Sequence, residues 1–202
     1  AYIKLAVSLG TNADLRQQTS DRLKQKFAKK PSFLDSYSYS TQMGELFQKL
    51  FQSYLADTLS DNLSLRDINF IIFPDWTQAE ETVGLELQEV IKNLVTHPDR
   101  AKMTLLIDNS NIIAEDADLI LSSVAMNLLM EEELEVDEGP EIILLGELSQ
   151  IQWSALIPQL QGRIKLEHEN GEAIAQLKAE NIPVIELNNL SENIQTFQTK
   201  ML

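Results

Sequence analysis

Asp75 and Trp76 follow the apolar run "NFIIFP", Asp108 and Asn109 close "KMTLLIDN" with Ser110 directly after, and Gly146 and Glu147 end "PEIILLGE". His168 lies near a fourth run, "GRIKLEH". Carboxylate, indole, amide and hydroxyl groups at the ends of successive strands can line a pocket for a polar ligand, because a parallel sheet gathers its strand ends at one edge. The same residue types also cap helices and terminate strands, which is the more economical role for Asp75, Asp108 and Ser110. The candidate site is therefore Asp75, Trp76, Asp108, Asn109, Ser110 and Glu147, with no catalytic residue assigned.

Other chemistries find little footing. Neither G-x-G-x-x-G nor G-x-x-x-x-G-K-[ST] occurs, and backbone approaches a pyrophosphate closely only where side chains are missing. No G-x-S-x-G nucleophile elbow occurs either. His97 and His168 are the only histidines and lie far apart, His97 at a His-Pro helix stop, so neither is expected to ligate a metal or act as a general base. Cysteine is absent, which excludes disulfides and thiolate metal sites and suits a reducing compartment. The "DAD" of residues 116–118 falls in the first turn of an expected helix, where acids complement the dipole. "MEEELEVDEGPE" packs seven acids into twelve residues without the alternating oxygen spacing of a calcium loop, and reads as a solvated helix end before a site for cations or a basic partner. No cofactor or metal is expected.

The elements that must hold these residues alternate. "NFIIFP", "KMTLLIDN", "PEIILLGE", "GRIKLEH" and "IPVIELNN" read as strands, apolar on consecutive residues as strands covered on both faces should be. Between them lie the helical stretches "AEETVGLELQEVIKNLVTH", "EDADLILSSVAMNLLMEEEL", "SQIQWSALIPQL" and "NGEAIAQLKAEN". This alternation predicts an α/β fold of parallel βαβ units with right-handed crossovers, a Rossmann-like or flavodoxin-like three-layer domain from about residue 68 to 190, with the strand order open. Within it, Met126, Leu128, Leu129 and Met130 are expected in the core. Upstream, residues 2–9 suit the last turns of a helix that begins before the chain does, stopped by Gly10, and Asn12 or Thr11 can cap the next. A second, basic helix breaks at Pro31. A third, from about Ser40, carries Met43, Leu46, Phe47, Leu50, Phe51, Tyr54 and Leu55 at helical spacing, a stripe expected to be core.

Charge divides the chain. The net charge is −15, yet residues 1–66 hold nine Lys or Arg against six acids and residues 67–202 hold seven against twenty-five. So acidic a second part repels phosphate polymers and anionic membranes, so no nucleic acid and no membrane surface is expected as a partner, whereas the acidic face suits a basic protein. The shift predicts a helical segment over 1–66 and an acidic domain over 67–202. No apolar run approaches the roughly 20 residues of a membrane span. With no charged-then-apolar leader, a cytoplasmic location is expected.

"YIKLAVSLGTNADLRQQTSDRLKQK" and "PSFLDSYSYSTQMGELFQKLFQSYLAD" resemble the carboxyl end of the O-linked N-acetylglucosamine transferase and SPINDLY-like family. That family has a helix ending Y-x-x-x-A-x-x-L-G-T-[DN], a basic helix, an S-P-L-F-[DN] turn and a closing helix. Tyr2, Ala6, Leu9, Gly10, Thr11 and Asn12 match the first element, and Ser32, Phe33, Leu34 and Asp35 approximate the turn, with Pro31 before the serine instead of after it. The resemblance implies a GT-B transferase using a uridine diphosphate sugar without metal. Its donor-binding histidine and H-x-T-x-x-x-D-type loop lie upstream of the matched element, so no catalytic or donor-binding position carries over. The later "IFPDW" and "EDADLILSSVAMNLLMEEELEV" resemble an α/β module appended to large bacterial glycosyltransferase and tetratricopeptide-repeat proteins, which brings no known activity. The expected function is thus the non-catalytic carboxyl-terminal part of a protein-modifying glycosyltransferase. Its rivals are a non-enzymatic acidic interaction or oligomerisation module and a degenerate sugar- or nucleotide-binding lobe.

Overall fold

The structure, a computed structural model, describes residues 2–28, 36–134 and 139–190. The family-like turn of Ser32, Phe33, Leu34 and Asp35 lies outside the described residues, as do residues 135–138 of the acidic run. The chain divides into two compact units, one ending at Phe51 and the other beginning at Gln52.

In the first unit, α1 (Tyr2–Thr11) and α2 (Ala13–Ala28) precede α3 (Ser36–Asn62), which continues across the division. Gly10 does not stop α1; a helical glycine costs about 1 kcal/mol relative to alanine, which weakens a helix without ending it. Asn12 is the cap of α2, its Oδ1 accepting the Leu15 N–H at 3.0 Å, while Thr11 Oγ1 donates back to the Val7 carbonyl at 2.8 Å. No residue of α1 or α2 is buried. The expected core stripe of α3 is corrected as well: Leu46, Phe47, Leu50, Phe51 and Tyr54 are all exposed, Phe47 by 62%. Helical spacing marks an apolar face, but burial needs a second layer to cover it, and the described helices of the first unit supply none to one another.

The end of α3 belongs to the second unit. Leu59 and Leu63 are buried there and Leu55 and Ala56 pack partly against the same core, so the α/β unit begins inside α3 and not at the charge shift near residue 66. Arg66 is part of it too, its guanidinium pairing with Glu141 at 2.9 Å and donating to the carbonyls of Ala101 and Gly139.

Five parallel strands follow, β1 (Ile68–Ile72), β2 (Met103–Ile107), β3 (Glu141–Leu144), β4 (Gly162–Ile164) and β5 (Val184–Ile185). They alternate with α4 (Glu80–Val95), α5 (Ala114–Glu132), α6 (Gln150–Leu156) and α7 (Gly171–Gln176). Their order, β3-β2-β1-β4-β5, is the Rossmann winding and not the flavodoxin one. Every residue of β1 and β2 is buried, as strands covered on both faces must be. Alternate side chains divide between two cores: Phe70, Ile72, Leu105 and Ile107 meet Leu87, Val90 and Leu128 of α4 and α5 on one face, while Ile71, Phe73 and Leu106 meet Trp153, Leu156 and Leu59 on the other. Each such side chain contributes about 1.5–3 kcal/mol.

Along α5, Ala117, Val124 and Leu128 face the sheet. Met126, Leu129 and Met130 are exposed, against expectation, because a helix over a sheet buries one stripe, here that of Val124 and Leu128, and these three lie off it. In β4, Gly162 allows β5 to approach; a Cβ there would lie 2.3 Å from Ile185 Cδ1 and 3.1 Å from the Pro183 carbonyl.

Candidate functional site

Sheets of this winding reverse direction between β1 and β4, and the crevice beyond those strand ends is where ligands of such folds bind. Here the two exits are stitched together. The Asp75 N–H donates to the His168 carbonyl at 3.1 Å, the Asn170 N–H donates to the Phe73 carbonyl at 2.9 Å, and Pro74 and Glu169 form an antiparallel bridge. Phe73 anchors the β1 exit, fully buried and stacked on Trp153 with ring centroids 6.3 Å apart.

Above the stitch lies a cleft of about 400 Å³ lined by Asp75, Thr77, Ser110, Asn111, Asn170 and, from α7, Glu172, Ala173 and Gln176. The Asp75 carboxylate accepts from Gln78 Nε2 at 2.7 Å, from the Thr77 hydroxyl at 2.7 Å and amide at 3.2 Å, and from Asn111 Nδ2 at 3.5 Å. These bonds, Gln78's first, hold its pKa below the ordinary carboxylate value. Asn170 caps α7, its Oδ1 accepting the Ala173 N–H at 3.1 Å, and its amide reaches Ser110 Oγ at 3.4 Å.

Of the six candidate residues, Asp75 and Ser110 thus reach the cleft. Three others stand behind it as support. Trp76 is buried and donates from Nε1 to the Asp108 carbonyl at 2.8 Å. Asp108 is buried and accepts the Ser110 hydroxyl at 2.7 Å, while Asn109 Oδ1 accepts the N–H of Gly146 at 2.8 Å and ties the ends of β2 and β3 together. Gly146 sits at φ +61°, a left-handed conformation that suits glycine. Glu147 is exposed and not among the residues lining this cleft, and His168 turns its ring to Glu86 of α4 instead. Sequence reasoning did not single out Thr77, Asn111 and Asn170. The one signal available for Asn170 was its type, Asn-Gly ahead of "EAIAQLK", a helix N-terminus.

The cleft suits no phosphate. Helices α4, α5 and α7 open on Glu80 and Glu81, Glu115 and Asp116, and Glu172, so carboxylates sit in the first turns where a phosphate would otherwise meet the positive end of each dipole. Among the described residues no Lys, Arg, His or Cys lines it, so it offers no cationic clamp for an anion. Side chains that can hold hydroxyl or amide groups remain.

Burial raises the Asp108 carboxyl above its ordinary value, against the hydrogen bonds from Ser110. The folded state therefore binds more protons than the unfolded one between the ordinary and the raised pKa, and stability falls as pH rises through that window. Asp108→Asn keeps an oxygen for Ser110 and loses the charge, so the variant should gain on the wild type as pH rises from 4 towards neutrality. Urea midpoints at several pH values check this; a difference independent of pH would rule out a raised Asp108.

No protein-family model, curated protein or solved structure matches the chain.

Proposed function

We propose that this chain is the non-catalytic carboxyl-terminal part of a protein-modifying glycosyltransferase, in which α1–α3 pack on the lobe that holds the sugar donor and the α/β unit is an accessory domain. One observation carries the reading. The first unit leaves Tyr2, Ile3, Leu5 and Val7 of α1 and Phe47, Leu50 and Phe51 of α3 more than half exposed, far more apolar surface than scattered surface residues explain. The motif residues Tyr2, Ala6, Leu9, Gly10, Thr11 and Asn12 name the kind of lobe that would cover it. The reading frame upstream of Ala1 tests this: an H-x-T-type donor loop is expected there, and a frame without one sinks the transferase.

A separate expectation concerns the α/β unit. Calorimetry of the whole chain with uridine diphosphate N-acetylglucosamine should give no micromolar binding, because no glycine-rich loop is present and acids occupy the helix N-termini. Micromolar binding would show a donor site in this chain and overturn its non-catalytic role.

A second reading, an acidic docking module, draws support from a groove of about 550 Å³ between α4 and α5. Glu80, Glu81 and Glu131 border it beside the exposed Leu85, a pairing of charge and apolar surface that suits a basic amphipathic helix.

A further inference from the structure

A second cluster of side chains lies at the exit of β4, apart from the cleft. There "KLEH" runs past the middle of α4, and Glu86 of that helix meets His168 twice: its Oε1 lies 2.5 Å from the ring Nδ1 and its Oε2 accepts the backbone N–H at 3.3 Å. Glu167, the neighbouring residue, adds a third donor. One ligand-capable atom from each of Glu86, Glu167 and His168 lies within 4.8 Å of the other two.

That spacing suits a metal ion. Donors about 2.0–2.2 Å from a tetrahedral ion stand roughly 3.3–3.5 Å apart, which these side chains reach by small rotations because Glu167 is exposed and His168 half-exposed. The frame beneath them is fixed, since Leu87 next to Glu86 and Leu166 next to Glu167 are buried in one core.

The surroundings point the same way. A depression of about 290 Å³ beside the cluster is lined by Glu86, Glu89, Glu167 and Glu186, with Lys165 as the cation among its lining residues. The contact of Glu86 with His168 joins one of these carboxylates to an imidazole and leaves Glu167 without a counter-charge in that contact. A divalent ion would neutralise the excess.

We propose that Glu86, Glu167 and His168 bind a divalent transition metal of the zinc class, one imidazole and two carboxylates leaving a fourth position for water or an outside ligand. The imidazole nitrogen sets the class, because magnesium and calcium take oxygen ligands. The site is independent of the transferase reading.

Titrating the untagged whole chain with zinc chloride in a calorimeter should give one site of micromolar or tighter affinity, and magnesium chloride should give no heat at the same concentrations. The chain has only two histidines, so imidazole NMR signals assign the site: those of His168 should shift with zinc while those of His97 stay in place. Glu167→Gln, at an exposed position, should weaken binding by about tenfold or more with an unchanged melting curve, and His168→Ala should abolish it. Absence of zinc binding, equal binding of magnesium, unchanged affinity in both variants, or movement of His97 in place of His168 would each overturn the proposal.

Discussion

Phe73→Ala should destabilise the α/β unit by about 3–5 kcal/mol, the usual range for emptying a fully buried aromatic site. Phe73 has no exposure, and its partner Trp153 lies with an interplanar angle of 27° at the joint between β1 and α6. Such a pair contributes about 0.5–1.5 kcal/mol beyond the area it buries. The backbone of Phe73 also receives Asn170, so a vacancy here loosens the turn that presents Asp75. Urea denaturation should show a lower midpoint with an unchanged slope, and for a chain of this size each kcal/mol lowers the melting temperature by about 2–4 °C. A loss below about 1 kcal/mol would mean that the ring is not sealed in the core as described.

Arg163→Met should cost about as much, roughly 3–5 kcal/mol, by a different route. Arg163 of β4 pairs through Nη1 with Glu169, and their side chains keep only 11% and 16% of their exposure. Removing the cation leaves a carboxylate with little water to solvate it. The pair is also imperfect, because Arg163 Nε is buried without a hydrogen-bond partner among the described residues. For that reason the double variant Arg163→Met with Glu169→Gln should be more stable than Arg163→Met alone, since an amide tolerates that pocket better than an orphaned charge. A double-mutant cycle measures the difference; strictly additive losses would show that the two groups do not act on each other.

Both predictions concern the joint between β1 and β4, the part that was hardest to read from sequence. The alternation of apolar runs and helical stretches was legible because β1 and β2 lie under helices on both faces and can be apolar at every position. Their order was not, since hydropathy carries no record of which strand neighbours which. Asp75 and Ser110 stood out as strand-end residues. Asn170 did not, because "GRIKLEH" reads as a strand as far as His168 whereas β4 ends at Ile164, and the residues beyond it fold into the turn that walls the cleft. The stripe on α3 misled for another reason: periodicity reports which face is apolar and is silent about whether anything in the same chain lies against it. Leu59 and Phe51 carry the same signal on one helix, yet Leu59 is 4% exposed and Phe51 53%.

The shortness of the outer elements has a consequence in time. Strand β4 has three residues, β5 two and α7 six, whereas β1 and β2 have five each and α4 sixteen. Local opening starts where few hydrogen bonds and little buried surface hold an element down. Backbone deuterium uptake should therefore sweep inward from β5 and α7 towards β1, with the amide of Ala173 exchanging long before that of Leu106. One wall of the cleft belongs to the fast-exchanging edge and the other to the slow centre. Any molecule that settles between them would announce itself first as a slowing of the clock in α7.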